Sequence, residues 1–129
     1  MGCKRILIID DDDGIRDLVA IALEALAGWQ VLQAASGAAG VSLARSAQPD
    51  AILLDLIMPG QDGLTTFQQL QAEAQTCTIA TIFLTGTTSH PEQQLLVLGC
   101  AGLIAKPFEV MELAQQICSL LDWADPQFQ

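Results

Sequence analysis

Ile6-Leu7-Ile8-Ile9-Asp10-Asp11 and Ala51-Ile52-Leu53-Leu54-Asp55 decide how this chain folds. Each is a short apolar run, unbroken by polar residues and closed by a carboxylate, which is how a strand buried on both faces of a parallel sheet reads. Such strands release their last side chains at one common edge, where open α/β sheets place their ligands. Three acidic groups converging there repel one another. At about 5 Å and an effective dielectric of about 20, each pair costs roughly 3 kcal/mol. A bound divalent cation removes that penalty, so Asp10, Asp11 and Asp55 read as a hard-metal oxygen site beside a potential carboxylate nucleophile.

Outward from these runs, candidate strands alternate with amphipathic stretches in a βα order repeated along the chain. The pattern predicts strands near 5–9, 30–34, 51–54, 79–84 and 102–105, with helices near 14–27, 37–47, 63–74, 91–98 and 109–122. Ile15, Leu18, Val19, Ala22 and Leu26 follow the helical period, as do Val110, Leu113, Ile117 and Leu120, so each helix is expected to lay that stripe on the sheet. Asp12 or Asp13 suits the N-cap of the first helix and Ser36 that of the second, while Gly28 and Gly99 stand where helices commonly stop. Too few units are present to close the usual parallel barrel, so the expected fold is an open, doubly wound sheet with right-handed crossovers.

The 129 residues are expected to form a single domain with a real core, given 51% hydrophobic content. Only Asp125-Pro126-Gln127-Phe128-Gln129 reads as a frayed tail. No apolar run approaches a bilayer-crossing length, and Lys4-Arg5 is followed by too short an apolar stretch for a secretory signal. A soluble, cytoplasmic protein is expected. The formal charge of -10 argues against direct binding to nucleic acid or anionic membranes. Cys3, Cys77, Cys100 and Cys118 form no metal or redox spacing and read as reduced, mostly packed thiols, Cys3 the most exposed. Trp29 and Trp123 read as packing residues, and His90, a lone histidine in a polar connection, is assigned no role.

Four motifs in register extend the reading: Ile6-Leu7-Ile8-Ile9-Asp10-Asp11-Asp12, Ile52 through Asp55 to Asp62-Gly63, Phe83-Leu84-Thr85-Gly86 and Ala105-Lys106-Pro107-Phe108. Together they resemble the receiver domain of two-component response regulators, over almost the whole chain. The resemblance implies a flavodoxin-like (βα)5 fold with a five-stranded parallel sheet in the order 2-1-3-4-5. It implies that Asp55 is the phosphoacceptor, that Asp10, Asp11 and Asp55 hold Mg2+ with the Ile57 backbone carbonyl, and that Thr85 and Lys106 bind phosphoryl oxygens. It further implies a cis peptide before Pro107. The implied partners are a sensor histidine kinase or histidine phosphotransfer protein and a downstream effector, the chain acting as a monomer or a phosphorylation-dependent dimer. Such a domain assists its own modification and hydrolysis and is not an enzyme in the usual sense.

Physical chemistry supports these roles independently. Mg2+ takes six oxygens and keeps several waters, so carboxylates plus a carbonyl leave room for a phosphoryl oxygen. Asp12 and Asp13 are better explained as helix-capping charges. Asp55 has no helix directly after it, because Pro59-Gly60 and Asp62-Gly63 describe a loop, so capping does not account for it.

Two departures from the family pattern carry expectations. Leu103 stands three residues before the lysine, where receivers commonly carry Tyr or Phe, and implies a weaker or differently placed conformational output. Ile57 and Thr87 occupy positions that tune water attack on the phosphoaspartate. Ile57 cannot orient that water, so self-dephosphorylation is expected to be slower than in an Ile57→Asn variant. A haloacid-dehalogenase-type phosphatase or phosphotransferase is a second reading, but it wants an Asp where Ile57 stands. A flavodoxin-like electron carrier is a third, and there the run Asp10 to Asp13 would repel the flavin phosphate.

Overall fold

The computed structural model describes residues 4–56, 63–86, 97–106 and 108–123. Its elements are β1 (Arg5–Ile9), α1 (Asp13–Ala27), β2 (Gln30–Ala34), α2 (Gly37–Ala47), β3 (Ala51–Asp55), α3 (Gly63–Ala72), β4 (Ala80–Thr85), β5 (Gly102–Ala105), a 3-10 turn (Val110–Glu112) and α4 (Leu113–Leu121). The five strands form one sheet in the order β2-β1-β3-β4-β5. Every pairing is parallel. The expected order is therefore the observed one. The predicted helix near 91–98, His90, Cys3 and the tail lie outside the described residues, apart from Val97 and Leu98.

The apolar runs behave as doubly buried strands must. Alternate residues of β1 and β3 enter opposite layers: Ile6, Ile8 and Leu53 pack with Val19 and Leu23 of α1 and Leu113 and Ile117 of α4. Leu7, Ile9, Ile52 and Leu54 pack instead with Val41 of α2 and Phe67 and Leu70 of α3. All of these strand residues are 0% exposed. At about 1.5–3 kcal/mol per buried aliphatic side chain, the two layers are the main drive to fold, and they hold the strand ends in place.

Local signals set most helix ends. Asp12 caps α1, its Oδ1 accepting from the Gly14 and Ile15 amides at 2.9 and 3.2 Å, and Ser36 caps α2 through the Ala39 amide at 3.2 Å. Gly28 ends α1 in the left-handed conformation, φ 71°. Trp29 is buried and meets Trp123 edge-on at 5.6 Å, with the Lys4 ammonium 4.5 Å from the Trp123 ring, as packing residues would. Cys100 and Cys118 are buried and Cys77 is half-buried, and none of the three is in a disulfide among the described residues.

Three expectations need correction. Helix α3 stops at Ala72 rather than near 74, because the buried Thr76 hydroxyl donates to the Leu70 carbonyl at 2.6 Å and the Thr76 and Cys77 amides turn back to Glu73. The last helix enters through a tight 3-10 turn, where the Glu109 carboxylate accepts from the Met111 amide at 3.4 Å, before α4 begins at Leu113. The third correction concerns α1. Leu18 and Leu26 are exposed, and the face on the sheet is Val19, Ala20, Ala22 and Leu23. Apolar residues surround most of this helix, so the period alone did not select the buried side. Leu120 of α4 is likewise partly exposed.

Candidate functional site

At the carboxyl end of the sheet, the backbone ladder brings the candidate side chains together. The Asp10 amide donates to the Ala34 carbonyl at 3.1 Å, continuing the β1–β2 pairing by one residue, and this fixes the first carboxylate at the strand end. Asp10 is fully buried, and its Oδ1 accepts from the Asp12 amide at 2.9 Å. Asp55 closes β3 opposite Leu84 and is 5% exposed. Asp11 faces solvent. One oxygen from each of Asp10, Asp11 and Asp55 lies within 4.8 Å of the others.

Among the described residues, a single ammonium reaches into this cluster. Lys106 follows β5 and its amide donates to the Thr85 carbonyl at 2.7 Å, so the lysine starts beside the last residue of β4. Its Nζ then stands 3.1 Å from Asp10 Oδ2 and 3.3 Å from Asp55 Oδ2. Burial pulls the Lys106 pKa down, but the hydrogen bond to Asp10 and the charges of Asp55 and Asp10 outweigh it and hold the pKa above the ordinary lysine value. The ammonium stays charged there.

Thr85 sits half-buried at the same edge, on the strand next to Asp55, and pairs with Ala105. Gly86 beside it is exposed; a Cβ there would only touch the Lys106 stem at 3.7 Å. Asp12 is the helix cap, as described, and Asp13 pairs with Arg16, so neither joins the cluster. Leu103 lies in β5 opposite the buried Phe83, half-buried at the sheet edge. Ile57, Thr87 and Pro107 lie outside the described residues.

The sequence places Gly63 at the junction of the loop and the expected third helix, but gives no sign of its structural role. Gly63 opens α3 directly against the end of β3: its amide donates to the Leu56 carbonyl at 2.9 Å. A Cβ at this position would collide with the Asp55 carbonyl oxygen and stand 2.7 Å from Leu56 Cα. The α3 start can press against the backbone that carries Asp55 only because residue 63 has no side chain. An Asp-Gly pair after Pro-Gly signals a turn, and nothing local to it signals this contact.

Chemically, the site offers clustered hard oxygens, two of them on buried carboxylates, with a fixed ammonium and a neighbouring hydroxyl-bearing residue. That set suits a small divalent cation and a transferring anionic group such as phosphoryl.

Comparison with known proteins gives concordant findings. A family model described as the response regulator receiver domain matches residues 6–118. The chain is 42% identical over 122 residues to the DNA-binding dual master transcriptional regulator RpaA of Synechocystis, which covers 94% of this chain and 50% of that protein. It resembles the chemotaxis protein CheY4 of Vibrio cholerae with a TM-score of 0.83 and 26% identity, over 92% of this chain and 99% of that one. The receiver domain of the sensor histidine kinase PA1611 from Pseudomonas aeruginosa, solved with a magnesium ion coordinated in its active site cleft, matches with a TM-score of 0.79 and 28% identity, over 95% and 98% of the two chains. The chain spans about half the length of the curated relatives RpaA and PhoB that it matches.

Proposed function

Since this chain belongs to the response regulator receiver domain family, we propose that Asp55 accepts a phosphoryl group from a sensor histidine kinase or a histidine phosphotransfer protein. The observation that carries the assignment is the Lys106 ammonium poised between Asp10 and Asp55, beside Thr85. The Asp55 carboxylate attacks phosphorus in line, a P–O bond forms, and the P–N bond to the donor imidazole breaks with its electron pair left on nitrogen. Lys106 follows a phosphoryl oxygen as a compact point charge on a flexible stem, and the Thr85 hydroxyl donates to another.

The donor set fits Mg2+: oxygen ligands only, two buried carboxylates and one solvent-facing, all within 4.8 Å. Asp10, Asp11, Asp55 and the Ile57 carbonyl would hold the ion, which when bound supplies positive charge to the phosphoryl oxygens. The magnesium-bound PA1611 receiver domain supports the same choice.

Residues 1–129 act in this reading as one receiver unit in the cytoplasm. Among the described residues no helix is long and apolar enough to cross a membrane. Phosphorylation shifts the population of conformers toward one that favours an effector or a second copy, as monomer or dimer. The domain assists its own phosphorylation and hydrolysis without turning over a separate substrate. With a charge of -10, these residues do not themselves grip nucleic acid. The aspartyl phosphatase alternative is not favoured by the family match, and Ile57 stands where its second aspartate belongs.

Mass spectrometry after incubation with acetyl phosphate and Mg2+ tests the proposal. One phosphoryl group on the parent and none on Asp55→Asn is the expected result. Loading of another residue, or no loading of the parent, overturns it.

A further inference from the structure

One edge of the sheet is an unguarded strand. Among the described residues β2 pairs only with β1, and the ladder fixes which of its backbone groups that pairing uses. The Gln30 amide donates to the Lys4 carbonyl at 2.9 Å, and the Ala34 carbonyl accepts from the Asp10 amide at 3.1 Å. In a parallel ladder this turns the amides and carbonyls of Gln30, Leu32 and Ala34 toward β1, so those of Val31 and Gln33 point outward. Such an edge is a template for pairing with another chain, and proteins commonly blunt it with lysine, proline or a bulge. β2 reads Gln30-Val31-Leu32-Gln33-Ala34 and its register with β1 runs without a break, so it carries none of these.

Charge points to the same edge. In a chain of net charge -10, two copies repel wherever carboxylates meet, yet no residue from Ala25 to Ala44 is charged. That stretch takes in the end of α1, the whole of β2 and most of α2, and both helices flank β2. Gln30 and Gln33 are exposed, Val31 and Leu32 are half-buried, and Leu26 at the end of α1 is 41% exposed. A second copy can approach here without setting carboxylate against carboxylate. The outward groups are also self-complementary. Laid antiparallel about a two-fold axis through Leu32, Val31 of each copy faces Gln33 of the other, and each such pair exchanges both its hydrogen bonds, four in all, so no outward group is left over. The same direction sets the Asp10 to Asp13 end of each sheet toward the Lys4-Arg5 end of the other copy. Three strand spacings, about 14 Å, separate those ends, so their attraction favours the direction and adds little strength.

We propose that β2 pairs antiparallel with β2 of a second copy of this chain, about a two-fold axis through Leu32, joining two five-stranded sheets into one continuous sheet. Leu32 then faces its own counterpart as a non-hydrogen-bonded pair on the layer shared with α2 and α3, and Val31 lies beside Gln33 of the other copy on the opposite layer. The inference rests on backbone direction and charge and does not depend on the role of Asp55.

Sedimentation velocity of the full chain over a range of concentrations is the first test. A dimer that grows with concentration is expected, and a weak one, since a single strand pair is a small interface. Gln33→Pro removes an outward donor from each copy, changes no charge and leaves the β1 pairing intact, and it is expected to raise the dimer dissociation constant about tenfold or more. Parent-like emission from Trp29 and Trp123 shows that the variant is folded. A second measurement reads the register directly. In a Cys3→Ser, Cys77→Ser background, Leu32→Cys puts a thiol on the axis, where facing Cα atoms about 4.5 Å apart suit a disulfide. Oxidation with diamide is expected to crosslink Leu32→Cys into dimers and to leave Gln30→Cys, which faces Ala34 of the other copy, uncrosslinked. A chain that stays monomeric at its highest soluble concentration overturns the proposal and leaves this edge to a strand of another protein. A dimer unchanged by Gln33→Pro, or crosslinking of Gln30→Cys as readily as of Leu32→Cys, overturns it as well.

Discussion

Replacing Lys106 with methionine keeps most of the side chain's length and deletes its charge. In the parent, Nζ lies 3.1 Å from Asp10 Oδ2 and 3.3 Å from Asp55 Oδ2. At an effective dielectric of about 20, each contact is worth about 5 kcal/mol before the cost of desolvating the ammonium. That cost cancels much of the gain, and removing one partner of a buried pair typically costs about 3–5 kcal/mol net. Lys106 is 21% exposed and Asp11 faces water, so solvent screening brings the expected loss to just below that range, about 2–3 kcal/mol. Urea unfolding in EDTA, read by Trp29 and Trp123 emission, measures it as a lowered midpoint at unchanged slope. Adding Mg2+ should then stabilise the variant more than the parent, since a divalent cation replaces the missing charge among the carboxylates. In the double variant Lys106→Met, Asp55→Asn the loss should shrink, because one of the repelling anions is gone as well. An unchanged midpoint without metal, or a smaller Mg2+ effect in the variant than in the parent, would refute the reasoning.

Gly63→Ala drives a Cβ into the backbone of Asp55 and Leu56, so a loss of about 2–3 kcal/mol is expected together with slower Asp55 loading; parent-like melting and loading would count against it. Asp12→Ala removes the α1 cap and should cost about 1 kcal/mol by thermal or urea unfolding while leaving Asp55 loading unchanged. The raised Lys106 pKa sets a pH dependence: its stabilisation is fully present below the unfolded lysine pKa of about 10.4 and is lost as pH rises through the higher folded value. The stability gap between parent and Lys106→Met should therefore close above about pH 10.4, and a gap that widens there would reverse the sign of the argument.

The site was legible where a strand end dictates geometry. A run such as Ala51 to Leu54 is apolar throughout, so it must lie between two layers, and Asp55 can then only emerge at the sheet edge with Asp10. Lys106 stood out because few cations exist in this chain and this one falls between an apolar strand and Pro107-Phe108. The orientation of α1 was not legible, since Ile15, Leu18, Ile21 and Leu26 leave apolar residues on several sides and only packing against β1, β3 and α4 selects Val19 and Leu23. Gly63 was invisible for a similar reason. Its role is a contact with backbone at the end of another element, and local turn chemistry carries no record of that contact.

Charge counting links the acid site to its proposed chemistry. Asp10, Asp11 and Asp55 carry three negative charges against the single ammonium of Lys106, and this leaves a deficit of two that burial of Asp10 makes costly. Another lysine would halve the deficit but would occupy the space a phosphoryl group needs, whereas a small divalent ion matches it and keeps water ligands to exchange. The proposed phosphorylation of Asp55 would not relieve the demand, because the acyl phosphate would bring its own oxygen charges to the same edge. Lys106 can then leave Asp10 for a phosphoryl oxygen only if something else neutralises Asp10. In the proposed chemistry the buried Asp10 carboxylate, held by the Asp12 amide, would tie movement of Lys106 to the presence of a cation, and Asp10→Asn should uncouple Lys106 from Mg2+ while leaving Asp55 in place.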